Sequence, residues 1–206
     1  MSSYYKHIIS VFSLLFITSC STTPKFNHQP LVSHYTLENR IPFLTTINNW
    51  QIKGKIAFID KQDRKSASLF WQNSPNSHTE QLTLTTFLGI NVLDVSLANN
   101  IYTINVDQNT YQHTNIDTVL SSLTGYQLPT NALKSWIKAI PFHSNDTVIN
   151  NKSTQLPDSI SSLYGNKVWR VIYHEYTIVK GVPLPKRITL KQNNLIIKII
   201  INQWQF

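Results

Sequence analysis

The feature that most constrains this chain is a series of period-two hydrophobic patterns between Trp50 and Val106. In NWQIKGKIAFI, Trp50, Ile52, Ile56 and Phe58 alternate with Gln51, Lys53, Lys55 and Ala57. KSASLFW sets Ala67, Leu69 and Trp71 on one face, and EQLTLTT does the same with Leu82 and Leu84. NVLDVSLA adds Leu93, Val95 and Leu97, and NIYTINVD adds Tyr102, Ile104 and Val106. Successive side chains of a strand point to opposite faces, so each segment reads as a strand with one apolar face. Five in a row, joined by short polar turns, predict an antiparallel meander.

The period changes at Asn115. In NIDTVLSSLTG, Ile116, Val119, Leu120 and Leu123 have helical spacing, and Gly125 fits a C-terminal stop. PTNALKSWIKAIP repeats the pattern with Leu133, Trp136, Ile137 and Ile140. Residues 142–165 read as polar and irregular. KVWRVIYHEY, LPKRITLKQ and NLIIKIIINQWQF return to strand, with Asn193-Asn194 as a tight turn between the last two. Ahead of the first strand, Leu31, Tyr35, Leu37, Ile41, Leu44 and Ile47 are spaced for a helix that Pro42 should kink or end. Strands, two helices and strands again predict one α+β domain over residues 31–206, a curved antiparallel sheet with helices on one face.

Apolar residues make up 41% of the 206, enough for a core, while charged residues are only 14%. Trp50, Trp71, Tyr102, Trp136, Trp169 and Trp204 all fall on faces expected to point inward. Such aromatics either fill a solid core or leave an apolar cavity between sheet and helices, and composition does not separate the two.

The first residues read MSSYYKHIISVFSLLFITSC. Lys6 and an apolar run from Ile8 to Ile17, too short to span a bilayer, fit a signal peptide over residues 1–19. The run ends in Ile17-Thr18-Ser19-Cys20, which resembles the bacterial lipobox, whose Cys receives a diacylglycerol after export. Cys20 is the only Cys, so an exported chain has no internal disulfide to give it. The other reading is an ordinary cleaved signal with a stray Cys. Ser21 follows; by resemblance to enteric-type lipoproteins it permits passage to the outer membrane, where Asp would retain the protein inside. Residues 20–30, polar with Pro24 and Pro30, read as a flexible tether.

Catalytic and metal signatures are lacking. No His pair has the i, i+4 spacing with Glu of a zinc protease helix, and there is no G-x-S-x-G elbow. His174 and Glu175 are strand neighbours and point to opposite faces. The ten acids are scattered, but two distant ones can still meet in a fold, so the residues disfavour an enzyme without deciding against one. The net charge is +8, or +7 once Lys6 leaves with the signal. An exported basic protein meets anionic lipid or an acidic protein rather than nucleic acid.

One stretch breaks the rules of a turn. In TLTTFLGINVLDVSL, Phe87, Leu88 and Ile90 surround Gly89 between two strands. Turns between strands are normally polar because they face water. The apolar turn either folds under a neighbour or meets a non-aqueous phase.

Three segments together resemble the LolB family of outer-membrane lipoprotein receptors. NWQIKGKIAF…ASLFWQ, residues 49–72, is similar to the family's opening hairpin with its W-x-x-x-G-[RK] start. TTFLGIN is similar to its N-P-L-G loop, with Phe87 in place of Pro. LTGYQLPTNALKSWIKAIP, residues 123–141, resembles its helix pair, with Ala139 where Gly is common. The resemblance implies an incomplete, unclosed antiparallel β-barrel with a helical lid over an apolar cavity. It implies a lipid-anchored protein of the outer membrane facing the periplasm. Such a receptor is no enzyme and needs no cofactor or metal; it takes acylated lipoproteins from the soluble carrier LolA and inserts them into the inner leaflet. Phe87, Leu88 and Gly89 would form the membrane-insertion loop, with Leu88 as its probe. From alternation, the acyl cavity would be lined by Trp50, Ile52, Leu69, Trp71, Leu82, Leu93, Leu133, Trp136 and Trp169. The partners would be loaded LolA, the acyl chains of the cargo and outer-membrane lipid, with the chain itself a monomer. The alternatives are another lipid-binding lipoprotein without cargo transfer, or an assembly lipoprotein with a solid core.

Overall fold

A computed structural model describes residues 36–206 apart from 125 and 127, without the side chains of 123 and 124. The signal segment, Cys20 and the tether lie outside the described residues, as does the proposed helix stop at Gly125.

Among the described residues the chain forms α1 (Arg40–Thr46), β1 (Trp50–Ile59), β2 (Arg64–Ser74), β3 (Thr79–Thr85), β4 (Asn91–Ala98), β5 (Ile101–Val106) and β6 (Asn109–His113). Then come α2 (Ile116–Thr124), α3 (Thr130–Trp136), β7 (Thr147–Asn150), β8 (Pro157–Tyr164), β9 (Lys167–Val179), β10 (Val182–Gln192) and β11 (Leu195–Gln205). The strands make one antiparallel sheet in the order β6-β5-β4-β3-β2-β1-β11-β10-β9-β8-β7. Two edges remain, so the sheet is not closed. The first and last long strands meet at its centre, where β1 pairs with β11.

Local chemistry explains the joins. Four hairpins turn on a pair of residues at positive φ: Asn99-Asn100, Asp107-Gln108, Gly165-Asn166 and Lys180-Gly181. Two consecutive left-handed residues match the right-handed twist of the strands they join. Asn193-Asn194 connects β10 to β11 as expected, with Gln192 opposite Leu195. At the centre, the register shifts between Lys53 and Gly54. A Cβ on Gly54 would stand 1.9 Å from the Ile200 carbonyl oxygen, so only glycine lets β11 come this close.

Two expectations are corrected. The first helix, expected from Leu31 to Ile47, covers only Arg40–Thr46 among the described residues; Pro42 sits in its first turn, where no backbone donor is lost. Residues 142–165 are not irregular: they hold β7 and β8. One strand is additional to those expected: β6, an edge strand exposed along its whole length.

The core lies on one side of the sheet, under α1, α2 and α3. α1 is bolted to the end of α3 in both directions. Buried Arg40 donates to the carbonyls of Lys138 (2.9 Å) and Ala139 (2.8 Å). Lys138 returns hydrogen bonds to the carbonyls of Leu44 and Ile47, both 3.1 Å. Beyond α3 the chain closes a Schellman turn, with Ala139 N–H on Trp136 O and Ile140 N–H on Ser135 O. Ala139 therefore takes φ of 53°, a left-handed position that favours glycine.

Candidate functional site

Two features stand out on this frame: an apolar hollow inside, and an apolar tip outside. The hollow lies between the inner face of β1–β4 and β11 and the helices α2 and α3. Leu69 and Trp71 of β2, Leu82 of β3, Leu93 of β4 and Leu133 of α3 line it, five of the nine residues named from alternation. Ile56, Phe58 and Leu84 come from the same inward faces, Ile197 and Ile199 from β11, and Ile116, Leu120 and Leu128 from the helical side. Its volume is about 50 Å³. One water needs roughly 10–15 Å³ by this measure, so it is a narrow space.

The other four named residues are buried but lie outside this lining. Trp50 packs edge-on against Trp71 at 5.0 Å and Trp204 at 6.3 Å. Ile52 is fully buried beside them on β1. Trp136 and Trp169 meet at 6.2 Å as a second aromatic cluster. Tyr173 donates its hydroxyl to the Trp136 carbonyl at 2.8 Å, and burial keeps that hydroxyl from ionising until well above its usual range. These four belong to the packed core rather than to the hollow.

Sequence reasoning missed a polar node at the margin of the hollow. Glu80 of β3 is buried and accepts from Trp71 Nε1 (2.9 Å), Tyr102 Oη (3.3 Å) and Lys134 Nζ (2.6 Å). It ties α3 to three strands. Burial first, and then the Glu80 charge, push the Tyr102 hydroxyl up to about 12. The signal was present in EQLTLTT, where Glu80 shares the parity of Leu82 and Leu84 and so must point inward. Asp117 of α2 plays a similar part, accepting from Thr130 Oγ1 and from Tyr164 Oη at 2.6 Å. Lys138 has its ammonium pulled down to about 8 by burial.

The tip is the β3–β4 turn. Gly89 N–H donates to Thr86 O at 3.0 Å, and Thr86 N–H to Ile90 O at 2.8 Å. Gly89 adopts φ of 82°, and a Cβ there would touch nothing, so backbone conformation alone requires glycine. The turn does not fold under a neighbour: Phe87 is 92% exposed, Leu88 70% and Ile90 61%.

The LolB family model, described as outer membrane lipoprotein LolB, matches residues 48–204. The chain belongs to the LolB family. A LolB relative from Pseudoalteromonas translucida, named an outer-membrane lipoprotein, is 33% identical over the full length of both chains. Another, from Vibrio atlanticus, is 28% identical over 99% of this chain and 98% of that protein. Among solved structures, a LolA superfamily protein from Nitrosomonas europaea superposes with TM-score 0.53 and 8% identity, over 84% of this chain and 94% of that one. A DUF1329 family protein from Desulfovibrio piger gives TM-score 0.55 and 6% identity, over 82% and 90%. At such identities the likeness is of fold alone. LolB membership places the chain among outer-membrane lipoproteins that serve lipoprotein localisation rather than catalysis.

Proposed function

We propose that this chain is a membrane-tethered receptor that accepts acylated lipoproteins from the soluble carrier LolA and inserts them into the inner leaflet of the outer membrane. Acyl chains are too apolar to cross water freely, so each handover moves them between dry surfaces. The apolar hollow under α2 and α3 is the receiving site, and the two helices are its lid. Since the hollow is narrow, cargo enters as the helices move off the sheet, and the Glu80–Lys134 contact is one that has to yield. No chemical step and no cofactor is needed. A tighter site in the receptor than in the carrier makes transfer downhill, by tenfold for each 1.4 kcal/mol or so.

The observation that carries the reading is the tip. Three large apolar side chains on one exposed turn cost free energy in water and gain it in lipid. Anchored through an acylated Cys20, with residues 1–19 removed and 20–30 as the tether, the protein would present that tip to the leaflet. The test is a transfer assay with LolA loaded with a lipoprotein and this protein added as a monomer. Cargo should leave the carrier, and then enter vesicles. A protein that binds free lipid but takes no acylated protein from the carrier would overturn the reading.

A further inference from the structure

The outer face of the sheet, away from the hollow, carries a connected set of cations. Lys198 of β11 lies opposite Ala57 of β1 and Thr189 of β10. Lys55 and Lys191 stand two residues along from those partners, on the same face and diagonal to Lys198, about 7–8 Å away. Lys191 lies directly opposite Arg170 of β9. Lys55, Lys198, Lys191 and Arg170 are exposed and have no ion pair among the described residues. The four strands β1, β9, β10 and β11 hold a single acid, Glu175, which is already engaged by Lys186 (2.7 Å) and Arg187 (2.9 Å). Like charges directly opposite one another weaken a sheet, so the Lys191–Arg170 pair is a cost that a bound anionic surface removes.

We propose that this face lies against an anionic phospholipid surface, with Lys198, Lys191 and Arg170 at its centre. The hollow is on the other side of the sheet, so a carrier handing over acyl chains has to approach from there. The bilayer is the extended surface left for the cationic side, and LolB relatives are outer-membrane lipoproteins. The covalent reach fits. Sixteen residue steps separate Cys20 from Thr36, a span of up to about 55 Å, against about 35 Å for the length of β11. The tether therefore allows both this face and the Phe87–Ile90 tip to reach one leaflet. The inference takes the carrier's side of approach from the proposed transfer, while the lipid contact itself rests on location at a membrane and is read separately by vesicle binding.

The core runs from Leu44 to Trp204, so residues 21–206 keep the whole domain without the anchor. This chain is sedimented with phosphatidylcholine vesicles and with vesicles that also contain phosphatidylglycerol. Binding should favour the anionic vesicles and fall with salt. Each cation near such a surface raises binding roughly fivefold, so the triple variant Lys198→Gln, Lys191→Gln, Arg170→Gln should lose roughly 100-fold. Its melting temperature should equal or slightly exceed the parent's, since the opposed Lys191–Arg170 charges are gone, and its uptake of cargo from LolA should match the parent. Equal binding to both vesicles, or anionic binding unchanged in the triple variant, overturns the proposal. Loss of carrier binding in the triple variant with vesicle binding intact also overturns it, and assigns the face to an acidic protein.

Discussion

Replacing Leu88 by Glu separates a membrane role from a packing role, because the structure sets two very different magnitudes. Burying a whole Leu side chain contributes about 1.5–3 kcal/mol. Leu88 is 70% exposed, so the fold holds less than a third of that, under about 1 kcal/mol. A change of that size moves the melting temperature by only about 2–4 °C in a domain this long. In lipid the balance reverses. The exposed part of Leu88 gains about 1–2 kcal/mol on insertion, and a carboxylate placed there costs about 2–3 kcal/mol more. The combined shift is about 3–5 kcal/mol, or roughly two to three and a half orders of magnitude in partition. Cargo should still pass from LolA to the variant, since Leu88 does not line the hollow. Insertion of that cargo into vesicles should nearly stop. Loss of both steps, loss of neither, or a melting temperature lowered by more than about 5 °C would show that the tip serves packing instead.

Three further outcomes follow from contacts in the core. Gly54→Ala forces a Cβ into the Ile200 carbonyl, with no flexible side chain to yield, and should cost about 3 kcal/mol; an unchanged denaturation midpoint would contradict the close approach. Glu80→Ala leaves Trp71 Nε1 without its acceptor and Lys134 without its carboxylate, for a loss of about 2–4 kcal/mol in thermal melts, while Glu80→Gln should lose less. Lys138 titrates near 8 in the fold against 10.5 unfolded, so between those values the unfolded chain holds more protons and stability should rise with pH. Lys138→Met should flatten that rise; a wild-type curve already flat there would contradict the burial effect.

How much of this was legible in the sequence follows from which faces are buried. Alternation marked β1–β5 because one face of each packs on the core and the other meets water. It failed for β6, where Asn109–His113 is exposed on both faces, and for β8, where Ser159 and Ser162 are buried serines that leave no apolar rhythm. Alternation also named inward residues correctly without telling cavity from core. Trp50 and Trp71 share a face, yet Trp71 borders the hollow and Trp50 does not. What decides is the element opposite, which parity along one strand does not report. The glycine of W-x-x-x-G was visible as a motif, but its reason, the approach of β11, comes from a strand some 150 residues away.

The two halves of the proposed transfer meet on one hairpin. Leu84, near the end of β3, lines the hollow, and Leu93, near the start of β4, lines it from the next strand. Four residues beyond Leu84, Leu88 stands exposed at the tip, at most about 14 Å of extended chain away. The bulky aromatic fill is elsewhere: Trp50 at the start of β1 and Trp204 near the end of β11 occupy the end of the sheet opposite this turn. Beneath β1–β4 the inner space is thus filled by tryptophan at the end far from the tip and left narrow but apolar toward it. An acyl chain leaving the hollow along β3–β4 would pass from Leu84 and Leu93 to Phe87 and Leu88 with little exposure to water. The proposed route is short because Leu84 and Leu93, which line the hollow, and Leu88 at the tip belong to the same strand pair. On that route the exposed Phe87 would lengthen the dry path.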